Sequence, residues 1–233
     1  MARHVLANNL SIGYSSEQVL AEITDFQIEA GDVVSIIGES GIGKTTFLKT
    51  IANLVKPLGG NLTVFGESPQ RIRGRIGYIP QKLGLLRHDT VYGNVLQGAI
   101  CHESIWRSVF GFHDPKVIDK VNETIEIMNL KDKINEPVKR LSGGQQRRVA
   151  TARTLAQEPA LILADEFLSE LDDETMETVL RGVVTYVKNN NAALLVVEHD
   201  VSRAKSMADR LLVIDDGRIN PFITEVTMLE VKV

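Results

Sequence analysis

A single cysteine, Cys101, in 233 residues leaves no internal disulfide and fits a reducing compartment. Positive charge is not in surplus either. The 26 Lys and Arg against 30 Asp and Glu give a formal net charge of −4, which offers no footprint for wrapping nucleic acid. No apolar run approaches the ~20 residues that cross a bilayer; Ala192 to Val197 suffices only for a buried strand. Met1 to Asn9 lacks the layout of a signal peptide, so the chain is expected to be cytosolic and to meet a membrane only through a partner. Repeats, linkers and low-complexity segments are missing too. What is present is ordinary globular composition, 43% hydrophobic and 24% charged, on a chain long enough to bury a substantial core.

Apolar periodicity then divides the chain. Val5 to Tyr14 and Phe26 to Glu29 contain alternating segments, as strands of an antiparallel edge sheet do. Val33 to Ile37 is a β-branched run of the kind buried on both faces. After a loop at Gly38 to Gly43, a helix is predicted over Lys44 to Val55, with Phe47, Leu48, Ile51, Ala52 and Leu54 on its packing face. Pro57 and Gly59-Gly60 are expected to stop it. Asn61 to Phe65 and Arg75 to Ile79 read as further strands.

From about Leu85 to Glu158 the pattern turns helical, with Val117, Val121, Ile125 and Met128, then Val149, Ala152 and Leu155, recurring at helical spacing. Strand texture returns at Ala160 to Ala164, Ala192 to Val197 and Arg210 to Ile214, the last followed by an Asp216-Gly217 turn. The class is α/β: a mostly parallel core over about 1–84 and 159–233, an antiparallel β edge, and a helical subdomain inserted over about 85–158.

Gly38-Glu39-Ser40-Gly41-Ile42-Gly43-Lys44-Thr45 fits Gly, four residues, Gly-Lys-Ser/Thr, placed between a strand and a helix. Glycines let backbone N–H groups curl around a phosphate; Lys44 would bridge β- and γ-phosphates and the Thr45 hydroxyl would ligate Mg²⁺. Thr46 opens the helix behind them. Asp165 and Glu166 close an apolar strand, suited to hold the Mg²⁺ water shell and to act as general base on an attacking water, respectively. Ser142-Gly143-Gly144-Gln145 opens another helix, an exposed corner whose free N–H groups and dipole suit a second anion. One chain with two phosphate readers suggests that the second serves another copy's nucleotide.

The order of phosphate loop, Tyr78-Ile79-Pro80-Gln81, Leu141 to Gln145, Asp165-Glu166, Ser169 to Asp172 and Glu198-His199-Asp200 resembles the ATP-binding cassette (ABC) ATPases over essentially the whole chain. The resemblance implies a P-loop NTPase of ABC type with a RecA-like core, and a head-to-tail dimer of two copies with ATP and Mg²⁺ between them. Ser142, Gly143, Gly144 and Gln145 would contact the partner copy's nucleotide. Gln81 would approach Mg²⁺ and the attacking water, His199 would contact the γ-phosphate, Asp172 would couple the two sites, and Tyr14 would stack on adenine. Transmembrane permease subunits and a solute-binding protein are the implied partners, with the chain peripheral on the cytoplasmic face; no nucleic acid is expected. Two residues depart from the pattern: Phe167 follows Glu166 where proline is usual, and Glu170 stands where a small residue is frequent.

Gly93 to Ala99, then Trp106 to Phe112 with its aromatics Trp106, Phe110 and Phe112, resemble the phosphonate-import ATPases in particular. Lobe core at helical spacing would also account for those rings. The alternatives are the ATPase of an exporter or lipoprotein-release system, and a soluble cassette acting on DNA or ribosomes. The last usually carries coiled-coil insertions, zinc modules or paired cassettes, none of which is visible here.

Overall fold

The computed structural model describes residues 3–72, 74–103, 111–169 and 171–222. Strand β1 (Arg3–Ser15) pairs antiparallel with β2 (Gln18–Glu29) on one side and, in a small three-stranded sheet, with β4 (Gly59–Val64) on the other. The main sheet is built from β3 (Val33–Ile37), β5 (Ile76–Ile79), β6 (Leu161–Asp165), β7 (Ala193–Val197), β8 (Arg210–Asp215) and β9 (Arg218–Pro221), in the order β5-β6-β7-β3-β8-β9. The first five of these run parallel. β9 returns antiparallel through Asp216 and Gly217, both left-handed as a tight hairpin turn requires.

Every residue of β3, β6 and β7 is buried, because both faces of the sheet are covered. Val34, Ile36, Leu161, Leu163, Leu195 and Val197 share one core with α1 (Lys44–Ile51) and the antiparallel sheet. Their neighbours Ile162, Ala164, Leu194 and Val196 turn the other way. That second core takes in α2 (Val91–Ala99), α3 (Pro115–Ile127), α4 (Gly143–Ala156) and α5 (Asp173–Asn190). The period of two along each strand thus assigns side chains to two layers and leaves the carboxyl ends of β3, β5, β6 and β7 along one rim. A short α6 (Val201–Met207) follows β7.

Two expectations change. Helix α1 ends at Ile51 rather than at Val55, because Asn53 adopts φ +58 and turns the chain before Pro57 is reached. Asparagine tolerates that left-handed region better than most residues. Leu54 is consequently exposed, off the packing face, and Gly59-Gly60 opens β4 instead of closing a helix. Of the aromatic stretch, Trp106 and Phe110 lie outside the described residues, as does Glu170; Phe112 is exposed rather than lobe core. No helix among the described residues is long and apolar enough to cross a membrane.

Candidate functional site

Strand β3 runs directly into the loop at 38–43. Gly41 and Gly43 adopt φ +86 and +107, and a Cβ on Gly43 would press to 3.1 Å from Leu20 Cβ. Gly43 is the N-cap of α1 and no side chain caps it, so the first-turn N–H groups are left for a ligand. Lys44 is only 5% exposed. Its Nζ folds back to donate to the carbonyls of Gly38 at 2.6 Å and Glu39 at 2.7 Å, and lies 3.5 Å from His199 Nδ1. Burial holds its pKa below the ordinary lysine value, against the pull of the Glu166 and Asp165 carboxylates.

Asp165 is the last residue of β6 and accepts a hydrogen bond from Thr45 Oγ1 at 2.9 Å. Burial pushes its pKa up, the Thr45 bond works the other way, and the Glu166 charge adds to the rise. One residue on, Glu166 takes φ +50. Its Oε2 accepts from Gln81 Nε2 at 2.8 Å, and its Oε1 lies 2.5 Å from His199 Nε2. The ends of β5, β6 and β7 therefore bring Gln81, Glu166 and His199 together, two side chains meeting one carboxylate. Tyr78 lies behind this group, its pKa raised first by burial and then by the Asp165 charge.

A cavity of ≈ 250 Å³ opens here, lined by Ser40, Gly41, Lys44, Thr45, Glu166 and His199. Thr46 lines it as well, and Tyr14 stands at its edge, 76% exposed. A tyrosine so placed is not packing a core; its ring is available to a flat ligand. Leu20, on β2, completes the wall and carries no motif by which sequence reasoning would find it.

Ser142, Gly143, Gly144, Gln145 and Asp172 do not line this cavity. They form a second group. A Cβ on Gly144 would lie 3.2 Å from Thr175 Cγ2, and Asp172 caps α5 by accepting from the backbone N–H and the hydroxyl of Thr175. Those bonds hold the Asp172 carboxyl below its usual range. Ser142 and Gly143 are exposed, but the corner is less open than its sequence suggests. Gln145 N–H donates to Ser142 Oγ at 3.3 Å, and Ser142 N–H donates to Gln145 Oε1 at 3.0 Å. This capping box leaves the Gly143 and Gly144 N–H groups as the outward donors.

Two arginines of α4 and a buried glutamate escaped the sequence reading. Arg153 donates to the carbonyls of Leu83 at 2.7 Å and Gly84 at 2.8 Å, gripping the loop just after Gln81. Arg147 is buried and donates to the Glu166 carbonyl. Glu198, beside His199, is 2% exposed, and burial pushes its pKa up to about 7 despite Arg203 and Arg147 nearby. Its only signal was an acid at the end of an apolar run.

The profile of the ABC transporter family matches residues 21–169. The chain belongs to that family. It is an ATP-binding cassette subunit, an enzyme that hydrolyses ATP with Mg²⁺ as its cofactor. The cassette is 32% identical to a phosphonates import ATP-binding protein of Treponema denticola, over 91% of this chain and 86% of the relative. It is 35% identical to a hypophosphite import ATP-binding protein of Stutzerimonas stutzeri, over 91% of this chain and 64% of the longer relative. A methionine import ATP-binding protein of Clostridium acetobutylicum is 33% identical, over 91% of the cassette and 66% of that relative. The crystal structure of a nucleotide-free ATP-binding cassette superposes with a TM-score of 0.80 at 22% identity, covering 99% of this chain and 96% of the other; it establishes the fold.

Proposed function

We propose that the cassette energises an importer of small phosphorus oxyanions of the phosphonate type, working as a dimer of two copies beneath permease subunits. The supporting observation is the kinship with the phosphonate and hypophosphite import subunits, each aligned over 91% of this chain. Methionine-type import is the second reading, on the similarly extensive match to a methionine import subunit. With the partner permease reconstituted in liposomes, ATP turnover is expected to rise with a phosphonate and its binding protein, and not with methionine. Stimulation by methionine alone reverses the order of the two readings.

Within each site the cavity takes the ATP phosphates on the N–H groups of Ser40 to Thr45, with Lys44 leaving its two carbonyls to meet them, and the adenine lies against Tyr14. The Thr45 hydroxyl and the Asp165 carboxylate are hard oxygen donors 2.9 Å apart, and with Gln81 they fit a Mg²⁺ site. When bound, the ion neutralises charge on the phosphates. Glu166 orients and deprotonates the attacking water, held by Gln81 and His199, whose imidazole also reaches toward the γ-phosphate. Gly143 and Gly144 of the second copy donate to that phosphate, so the site is complete only in the dimer. This makes hydrolysis depend on closure, since phosphoryl transfer is catalysed by positioning and charge stabilisation.

A further inference from the structure

We propose that Arg147 is a positioning residue for hydrolysis, tying the Ser142–Gly144 corner to the backbone of Glu166 in the same chain. The proposal rests on Glu166 being the base. At φ +50, Glu166 occupies a left-handed conformation that side-chain-bearing residues adopt rarely and keep only where their surroundings over-determine it. Three donors converge on its carbonyl: Arg147 Nη1 at 3.1 Å, Ser169 Oγ at 2.8 Å and Ser169 N–H at 3.2 Å. Its own N–H donates to the Val197 carbonyl at 3.0 Å. Both peptide planes around the Glu166 Cα are thereby fixed, and its carboxylate is aimed at Gln81 and His199.

The bond from Ser169 N–H closes a four-residue turn whose second position is Phe167. Proline there would preset φ; phenylalanine does not, so the turn depends on the bonds around it. Arg203 Nη1 grips it again at the Leu168 carbonyl, 3.2 Å away, and the buried Glu198 lies close enough to feel the charges of both arginines. Arg147 lies five residues beyond Ser142 on α4. Its planar guanidinium has a fixed direction and little slack. A shift of α4 on engaging a second copy's nucleotide is therefore passed to the backbone that aims this chain's own base. One dimer site is linked to the other through a single side chain.

The test is steady-state ATP turnover of the purified full chain, with thermal melts to confirm folding. Arg147→Gln is made together with Glu198→Gln, so that no buried carboxylate loses its counter-charge, and is compared with Glu198→Gln alone. We expect kcat to fall at least tenfold with the KM for ATP within threefold, and Arg147→Lys to recover part of the loss. Ser169→Ala combined with Arg147→Lys should cost more than the product of the two single effects, because both residues serve one acceptor. An unchanged kcat, an equal loss of ATP affinity, or purely multiplicative effects would overturn the proposal. Should the neutralised pair fail to fold, the Arg147→Lys and Ser169→Ala cycle decides by the same criterion. Glu166→Gln separates the two levels: if it retains turnover, the base assignment fails; if it is inactive while the Arg147 variants are not, only the positioning role fails.

Discussion

Helix α1 is capped by a glycine and α4 opens with one, and both leave first-turn N–H groups without a helical partner, yet they begin differently. Gly43 caps α1 with no side chain, beneath a cavity whose walls include a buried lysine. Ser142 caps α4 with a reciprocal Ser–Gln box, on an exposed surface beside the Asp172 cap of α5. The first start is a cradle left unsatisfied so that a ligand completes it. The second is stable by itself and keeps only two donors in reserve. A capped helix end has most of its donors satisfied already, whereas an uncapped one leaves them for a ligand.

The largest effects are expected at the cradle. Glu166→Gln should lower turnover by ~10²–10⁴ while ATP binding persists, measured by turnover beside equilibrium nucleotide binding. Lys44→Ala should remove both. At the corner, Gly143→Asp puts a negative charge where the partner's phosphate would lie; nothing stands within 4 Å of a Cβ there, so the fold should hold. We expect a loss on the order of the 10²-fold that one removed oxyanion donor costs, with single-copy ATP affinity kept. Equal loss of affinity at both elements would erase the distinction.

Behind both elements sits Glu198, with its pKa raised to about 7 from an ordinary 4.5. Its protonated form suits the fold, so its stabilising contribution is full below about pH 4.5 and is lost as pH rises toward 7. The burden reaches about 3 kcal/mol above that window. Glu198→Gln should therefore melt progressively higher than the parent as pH rises from 5 to 7.5, with a constant gap beyond; a gap independent of pH refutes the shift. Smallest of all, Ser142→Ala should cost about 1 kcal/mol of stability by removing the cap, read as a modest drop in melting temperature.

The parts of the site legible in the sequence share a physical reason. Gly38, Gln81, Asp165, Glu166 and His199 each follow a β-branched or apolar run, and a parallel sheet brings the carboxyl ends of such strands together. What escaped depends on long-range pairing. Arg147 has the outward look of a solvated helix arginine, and only the fold shows it buried against the Glu166 carbonyl. Leu20 reaches the cavity because β2 passes beneath the loop, which no local pattern announces. The end of α1 departs from the sequence pattern for a local reason, since one left-handed Asn53 outranks the proline and glycines beyond it. The capping box of Ser142 and Gln145 was readable from its spacing; the same residues simply also fit an anion corner.

Whether cradle and corner from different copies make one site is decided most directly by mixing two inactive variants. Lys44→Ala keeps an intact corner and Gly143→Asp an intact cradle, so a mixed dimer contains one composite site with every group in place. Mixing the two purified chains should restore ATP turnover well above the sum of the separate samples. Turnover that stays at that sum, with mixed dimers present, contradicts the shared site.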